Sequence, residues 1–219
     1  MKVLIAIPTA GKLPVEFISC IDSIKSKHEI ARLYIARSLV HVAREQAADT
    51  AIKGGYDALL FLDDDMVFEP NVVDVMLEAN EPVVSAPCFK RAYPYEPCFY
   101  EAIELNGNAL KAHPCKLREM PDKPFRVASA GTACMMIRTN VFEKLKRPWF
   151  LPLPYSGEDL TFCMRLAKEK IGIVVQPKAR VGHLETRAIY FEHYKEALEN
   201  ADNNGGTDNA YGGTGSNKE

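Results

Sequence analysis

Three consecutive carboxylates, Asp63, Asp64 and Asp65, follow the apolar run Leu59-Leu60-Phe61-Leu62 directly. Side chains alternate in an extended segment, so Asp63 and Asp65 tend to face one side and Asp64 the other. Carboxylates gathered this closely repel, and their pKa values rise unless a cation joins them. Mg²⁺ or Mn²⁺ takes hard oxygen ligands and commonly bridges one or two carboxylates to a substrate's phosphates. A solvated acidic turn is the alternative reading. The position at the end of a buried run favours the metal, because ligands of open α/β sheets bind at the carboxyl edge of the strands.

Three further groups carry candidate chemistry. Arg37, His41 and Arg44 are spaced four and three apart, which puts them on one helical face. Ala43, Ala47 and Ala51 form a small-residue side that can pack closely on a sheet. A basic face of this kind suits a diphosphate, and it equally suits plain solvation. Ser156-Gly157-Glu158-Asp159-Leu160 opens another helix. Acidic residues in a first turn are favoured by the helix dipole, so capping alone accounts for them. Pro152, Pro154, Tyr155 and Gly157 shape the preceding loop, however, and such loops deliver side chains such as a general base to a site. Finally, Gly182-His183 follows the last apolar run. A lone His is usually structural, but a neutral imidazole can complete a carboxylate metal site.

The elements that must position these groups follow from periodicity. Val3–Ile7, Ala31–Ile35, Ala58–Leu62 and Pro82–Ala86 read as strands, the first and third apolar throughout, as in strands covered on both faces. Between them, Val15–Lys25, Arg37–Lys53 and Pro70–Ala79 read as helices, with Gly54 and Gly55 closing the second and Pro70 opening the third. This alternation predicts a doubly wound, mainly parallel α/β sheet with its carboxyl ends on one edge. The second half is denser in proline and aromatic residues. It holds strand-like pieces at Phe99–Leu105, Ser129–Ile137 and Ile171–Gln176. Its helices are expected at Asn140–Leu145 with Asn140 as N-cap, at Gly157–Glu169 and at Phe191–Glu199. The reading is one domain over residues 1–200, followed by a flexible tail from Ala201 to 219 rich in Asn, Gly, Thr and Ser.

Composition bounds the function. The 219 residues are 47% hydrophobic and 26% charged, enough for one domain with a sizeable core. A net charge of -2, from 27 basic and 29 acidic side chains, disfavours nucleic-acid binding through a basic surface. No run approaches the roughly 20 apolar residues of a membrane-spanning helix, and Met1–Ile7 reaches Pro8 too soon for a signal peptide. Cys20, Cys88, Cys98, Cys115, Cys134 and Cys163 form no C-x-x-C pair, so they read as reduced packing residues of a cytoplasmic protein.

Together these pieces resemble nucleotide-sugar-dependent glycosyltransferases of the GT-A fold, close to family 2 and to similar phage or bacterial enzymes. The resemblance covers about Met1 to His193. It rests on Ile5-Ala6-Ile7-Pro8-Thr9, Ala43-Arg44-Glu45, Leu59 to Met66, Gly131-Thr132-Ala133, Gly157-Glu158-Asp159 and Gly182-His183. It implies that Pro8 and Thr9 lie at the nucleoside edge, that Asp63 to Asp65 match the D-x-D motif, and that Gly131 and Thr132 lie under the sugar. It further implies that Arg44 contacts the nucleotide sugar, as the basic face implies for Arg37, and that Asp63 and Asp64 touch ribose or metal-bound water. Asp63, Asp65 and His183 would hold Mn²⁺ or Mg²⁺. Asp159 would be the base, with Glu158 holding the acceptor or sharing that role. The implied substrates are a UDP- or GDP-type sugar donor and a glycan, lipid-linked or other hydroxyl acceptor, with inversion at the anomeric carbon. Two departures stand out. Ala36, Arg37 and Ser38 replace the acidic residue that often reads the base, and Arg44-Glu45 replaces a common Arg-Asn. A nucleotidyltransferase is one rival reading, although Pro8 to Lys12 contains a single glycine. A non-catalytic carbohydrate- or nucleotide-binding module is the other, with Phe89, Tyr93, Tyr95, Phe99 and Tyr100 as stacking platforms.

Overall fold

The structure is a computed structural model and describes residues 1–107, 109–185 and 188–203. The first half runs β1 (Lys2–Thr9), α1 (Val15–Ser23), β2 (Glu29–Ala36), α2 (Val40–Lys53), β3 (Ala58–Leu62), β4 (Met66–Phe68), α3 (Val72–Glu78) and β5 (Val83–Ser85). The second half runs β6 (Phe99–Asn106), β7 (Ala109–Pro114), β8 (Phe125–Val127), β9 (Ser129–Ala130), β10 (Cys134–Arg138), α4 (Asn140–Lys144) and α5 (Glu158–Lys168). It ends with β11 (Ile173–Val175), β12 (Val181–Leu184), β13 (Ala188–Ile189) and α6 (Phe191–Asn203).

The central sheet has seven strands in the order β2-β1-β3-β10-β5-β11-β8. β1 is parallel to β2 and β3, and β11 is parallel to β5. β10 enters antiparallel between β3 and β5, and β8 lies antiparallel on β11. Two three-stranded sheets, β13-β12-β4 and β7-β6-β9, stand beside it.

The apolar runs explain the layering. Alternation sends Leu4, Ala6, Leu59 and Phe61 to one face of the sheet, with Ala43, Ala47, Ala48 and Ala51 of α2. Val3, Ile5, Ile7, Ala58, Leu60 and Leu62 face the other side, with Phe17 and Ile21 of α1 and the buried face of α3. Alanine on α2 lets that helix lie close to the strands, so a large side chain on the same face must fit into the sheet layer.

Four expectations change in detail. The helix expected from Arg37 begins at Val40, and Arg37 stands outside it with φ 58°. Arg37 N–H donates to Thr9 carbonyl at 2.9 Å, so residues 37–39 form the exit from β2 rather than a helical turn. The basic face joining Arg37, His41 and Arg44 therefore does not form. Ser129–Ile137 is two strands, because residues 131–133 cross from one sheet to the other between β9 and β10. Asn140 is the first residue of α4 rather than its cap; Thr139 precedes it. Lastly, α6 runs through Asn203, past the expected start of the tail at Ala201; residues 204–219 of that tail lie outside the described residues. All six cysteines are free thiols. No helix among the described residues is long and apolar enough to cross a membrane.

Candidate functional site

β3 ends at Leu62, and Asp63, Asp64 and Asp65 form the turn into β4 at the carboxyl edge of the sheet. Two backbone bonds shape the turn: Asp63 N–H donates to Ala133 carbonyl at 2.8 Å, and Met66 N–H donates to Asp63 carbonyl at 3.2 Å. The first of these brings residues 131–133 against the acidic triplet.

β4 pairs antiparallel with β12, and His183 stands opposite Met66. Leu184 N–H donates to Asp65 carbonyl at 2.7 Å. This register carries His183 across 118 residues of sequence to Asp65, with Nε2 3.1 Å from Oδ2. On its other side the imidazole Nδ1–H donates to Phe89 carbonyl at 2.8 Å. A carbonyl only accepts, so the proton sits on Nδ1 and Nε2 turns its lone pair toward a carboxylate that also only accepts. A proton or a shared cation has to fill that contact. Burial disfavours charge on His183, but the bonds to Asp65 and Phe89 outweigh it and raise the pKa above the ordinary value. Burial likewise opposes charge on Asp65, yet His183 and Arg91 hold its carboxyl below the usual range. Arg91 stands at the rim, with Nη1 3.4 Å from Asp65 Oδ2.

Asp63 points elsewhere. Arg44 is 2% exposed and projects from the alanine face of α2 into the sheet layer. Its Nη2 donates to both Asp63 oxygens at 3.0 Å, and its Nε donates to Glu158 Oε1 at 3.1 Å. The guanidinium also lies over the Phe61 ring, 5.1 Å from its centroid. Its Nη1 is buried without a partner among the described residues. Burial raises the Asp63 pKa and Arg44 opposes the rise, while Asp65 and Glu158 add to it. Arg44 is thus the buried counter-charge of two carboxylates, not part of an exposed anion surface.

The acidic pair at the start of α5 is divided by this arrangement. Glu158 is tied to Arg44. Asp159 is half-buried, and its Oδ1 accepts Leu160 N–H at 2.7 Å. Burial, then the neighbouring charge of Glu158, raise the Asp159 pKa above the carboxylate norm, against the pull of Leu160 N–H and Arg44. A carboxylate with a raised pKa is suited to accept a proton. Gly131 faces it: a Cβ placed there would lie 3.8 Å from Asp159 Oδ2 and 3.5 Å from Cys98 Cβ. Gly131 N–H donates to Cys98 carbonyl at 2.7 Å, and Thr132 beside it is buried.

The predicted residues therefore converge in part. Asp63, Asp65, His183, Glu158, Asp159, Gly131 and Thr132 come together at the carboxyl edge. The expected three-ligand metal set does not assemble, because both Asp63 oxygens are taken by Arg44. Among the described residues no three His, Cys, Asp or Glu side chains gather as a metal cage. Asp65 and His183 remain, one hard oxygen ligand and one imidazole. That pair fits Mn²⁺ or Mg²⁺ held jointly by protein and substrate phosphates. Pro8 is buried and Thr9 half-buried at the end of β1, where Thr9 Oγ1 accepts Gly11 N–H at 3.0 Å. Arg37 is exposed there, its side chain packed along Gly11. Asp64 sits half-buried in the turn, and His41 lies half-buried on the first turn of α2.

Two residues that bear on the site, Arg91 at its rim and Glu45 behind it, carry no functional signal of their own in the sequence. Arg91 comes from an aromatic loop with no local motif. Glu45 accepts Trp149 N–H and Phe150 N–H, more than 100 residues away. Only its place directly after Arg44 hinted at a role. A cleft of about 620 Å³ lies elsewhere, between β7, residues 94–97 and α6. It holds none of the converging carboxylates, and the chemistry argues for the strand edge instead.

No protein-family model and no curated protein matches the chain. Solved structures do. A197 from STIV is similar over 88% of this chain and 92% of its own, with a TM-score of 0.64 and 25% identity. GalNAc-T7, solved with UDP, GalNAc and Mn²⁺, is similar over 90% of this chain, with a TM-score of 0.58 and 12% identity. This chain spans 47% of that protein's length, and at such identity the likeness concerns the fold alone. The chain is a GT-A-like α/β fold, a seven-stranded, mostly parallel sheet flanked by helices.

Proposed function

We propose that the protein is a metal-dependent glycosyltransferase that moves a sugar from a nucleoside-diphosphate donor to an acceptor hydroxyl. The observation that carries this reading is the meeting of Asp65 and His183 at the same sheet edge as Asp159, whose pKa is raised by burial. The fold shared with a protein solved with UDP, a sugar and Mn²⁺ supports it.

Asp65 and His183 would hold Mn²⁺ or Mg²⁺, which when bound offsets the charge developing on a leaving diphosphate. Asp63 is fixed by Arg44, so it lines the edge without leaving its place. Pro8, Thr9 and Arg37 border the ends of β1 and β2, where the nucleoside would lie. Gly131, with no side chain of its own, lets the backbone at residue 131 lie close to Asp159, where a Cβ would stand 3.8 Å from Oδ2. Asp159 accepts the acceptor's proton at its Oδ2 as the acceptor oxygen attacks the anomeric carbon, and direct displacement inverts that carbon. Burial, and then the neighbouring Glu158 held by Arg44, raise the Asp159 pKa and so make it basic.

A panel of nucleotide sugars tests the reading through release of free nucleoside diphosphate in the presence of Mn²⁺. Release of pyrophosphate instead would assign a nucleotidyl transfer. Binding of every donor with no turnover in any acceptor mixture would assign a binding module.

A further inference from the structure

Glu45 touches none of the groups that would meet donor, metal or acceptor. Its carboxylate accepts Trp149 N–H at 2.9 Å through Oε2 and Phe150 N–H at 3.1 Å through the same oxygen, with a longer contact from Oε1 to Trp149 N–H. Residues 149 and 150 belong to no strand or helix, so their backbone has no ladder to place it. Their side chains are core anchors. Phe150 stacks on Phe162 of α5 at 4.5 Å between centroids and meets Phe61 of β3 edge-on at 5.5 Å. Trp149 Nε1–H donates to the Phe142 and Leu145 carbonyls.

The same stretch of chain then reaches Glu158, which Arg44 holds. Arg44 and Glu45 are consecutive on α2 and point about 100° apart. One rigid helical turn thus grips both ends of the segment 149–158. Between the grips the chain is half-buried to exposed, with Thr161 Oγ1 donating to Leu151 carbonyl at 3.1 Å and Leu110 N–H donating to Ser156 Oγ at 2.7 Å, and with Tyr155 91% exposed and in the left-handed region at φ 62°. Asp159 follows the second grip directly.

Building on the glycosyl-transfer reading, we propose that Glu45 is a positioning residue for the transfer step: it fixes the start of the 149–158 segment and thereby sets where Asp159 stands relative to Asp65 and His183. Arg44 holds the Glu158 end of that segment, and Glu45 holds the backbone at its other end. A displacement on the order of 1 Å at a reacting group can cost about 100-fold in rate, so a residue that never meets substrate can govern turnover.

The test uses the full chain with Glu45→Ala and Glu45→Gln. In Glu45→Ala, hydrogen exchange at the Trp149 and Phe150 amides should quicken about 10- to 100-fold, the factor that corresponds to a hydrogen bond to a charged group. The kcat for transfer should fall by roughly 10- to 100-fold. Donor KM and Mn²⁺-dependent UDP or GDP affinity should stay near wild type, because the Asp65–His183 side is untouched. Glu45→Gln keeps one acceptor oxygen and should fall between the two on both readouts. It also decides the matter if the alanine variant does not fold. Wild-type kcat in a folded variant, unchanged exchange at 149–150, or a loss that appears in donor affinity rather than kcat would each overturn the role. If the wild-type chain releases no diphosphate from any nucleotide sugar, the glycosyl-transfer reading fails and this role fails with it. If the wild type turns over and Glu45→Ala matches it, the positioning role fails alone.

Discussion

Replacing Arg44 with methionine gives the most direct measure of how the site is held. Methionine keeps much of the volume and the contact with Phe61, and it removes the charge. Arg44 is 2% exposed, and the side chains it serves are largely covered, Asp63 at 26% exposure and Glu158 at 15%. Removing one partner of a buried ion pair costs about 3–5 kcal/mol, because the remaining charge is left without compensation. Here two carboxylates lose their counter-charge, which argues for the upper end. Against that, Nη1 already lacks a partner among the described residues, and the substitution relieves that desolvated donor. We therefore expect about 3 kcal/mol at pH 8. For a domain of this size that is a fall in Tm of roughly 6–12 °C. The loss should depend on pH. Without Arg44, burial, Asp65 and Glu158 all raise the Asp63 pKa and nothing opposes them. The native variant then binds protons more tightly than its unfolded chain, so its stability rises as pH falls from 8 toward 5. Urea melts of both proteins at pH 8 and pH 5 read this directly. Adding Asp63→Asn and Glu158→Gln to Arg44→Met should recover much of the deficit. A deficit under about 1 kcal/mol, or one equal at both pH values, would refute the buried counter-charge argument.

Other substitutions separate the roles at the edge. Asp159→Asn should leave the fold intact and cut transfer by ~10²–10⁴-fold, whereas a mere capping role would leave activity near wild type. Because the Asp159 pKa is raised, its ionisation costs stability as pH climbs past the unfolded value, so Asp159→Asn should match or exceed wild-type stability near neutrality. For the same reason the acid limb of the kcat/KM profile should lie above the ordinary carboxylate pKa. Loss of transfer in Glu158→Gln with Asp159→Asn active would move the base by one residue. Calorimetry with UDP and GDP, with and without Mn²⁺, should show metal-dependent affinity that Asp65→Ala and His183→Ala remove; equal affinity in EDTA contradicts the metal assignment. Gly131→Ala meets only ordinary van der Waals neighbours, so its thermal melt should stay near wild type while transfer falls as the added methyl enters the space before Asp159.

The chain itself determined the layers and the location of the chemistry. The apolar runs of β1 and β3 need cover on both faces, and α2 shows its alanine side, so a helix-covered parallel sheet is the arrangement that buries them. An acidic triplet after such a strand falls at the carboxyl edge whatever the rest does. Pairings across long sequence separation were not legible, since local periodicity carries no information about register. The β4–β12 register put His183 on Asp65, and the antiparallel insertion of β10 brought residues 131–133 against Asp63. Arg44 shows the difference most clearly. Its spacing placed it with Arg37 and His41 on a solvent-facing helix side. The turn at 37–39 removed Arg37 from the helix, and close packing of alanines drew Arg44 into the core. There the cost of burying a guanidinium could be met only by Asp63 and Glu158, and Glu158 lies 114 residues away.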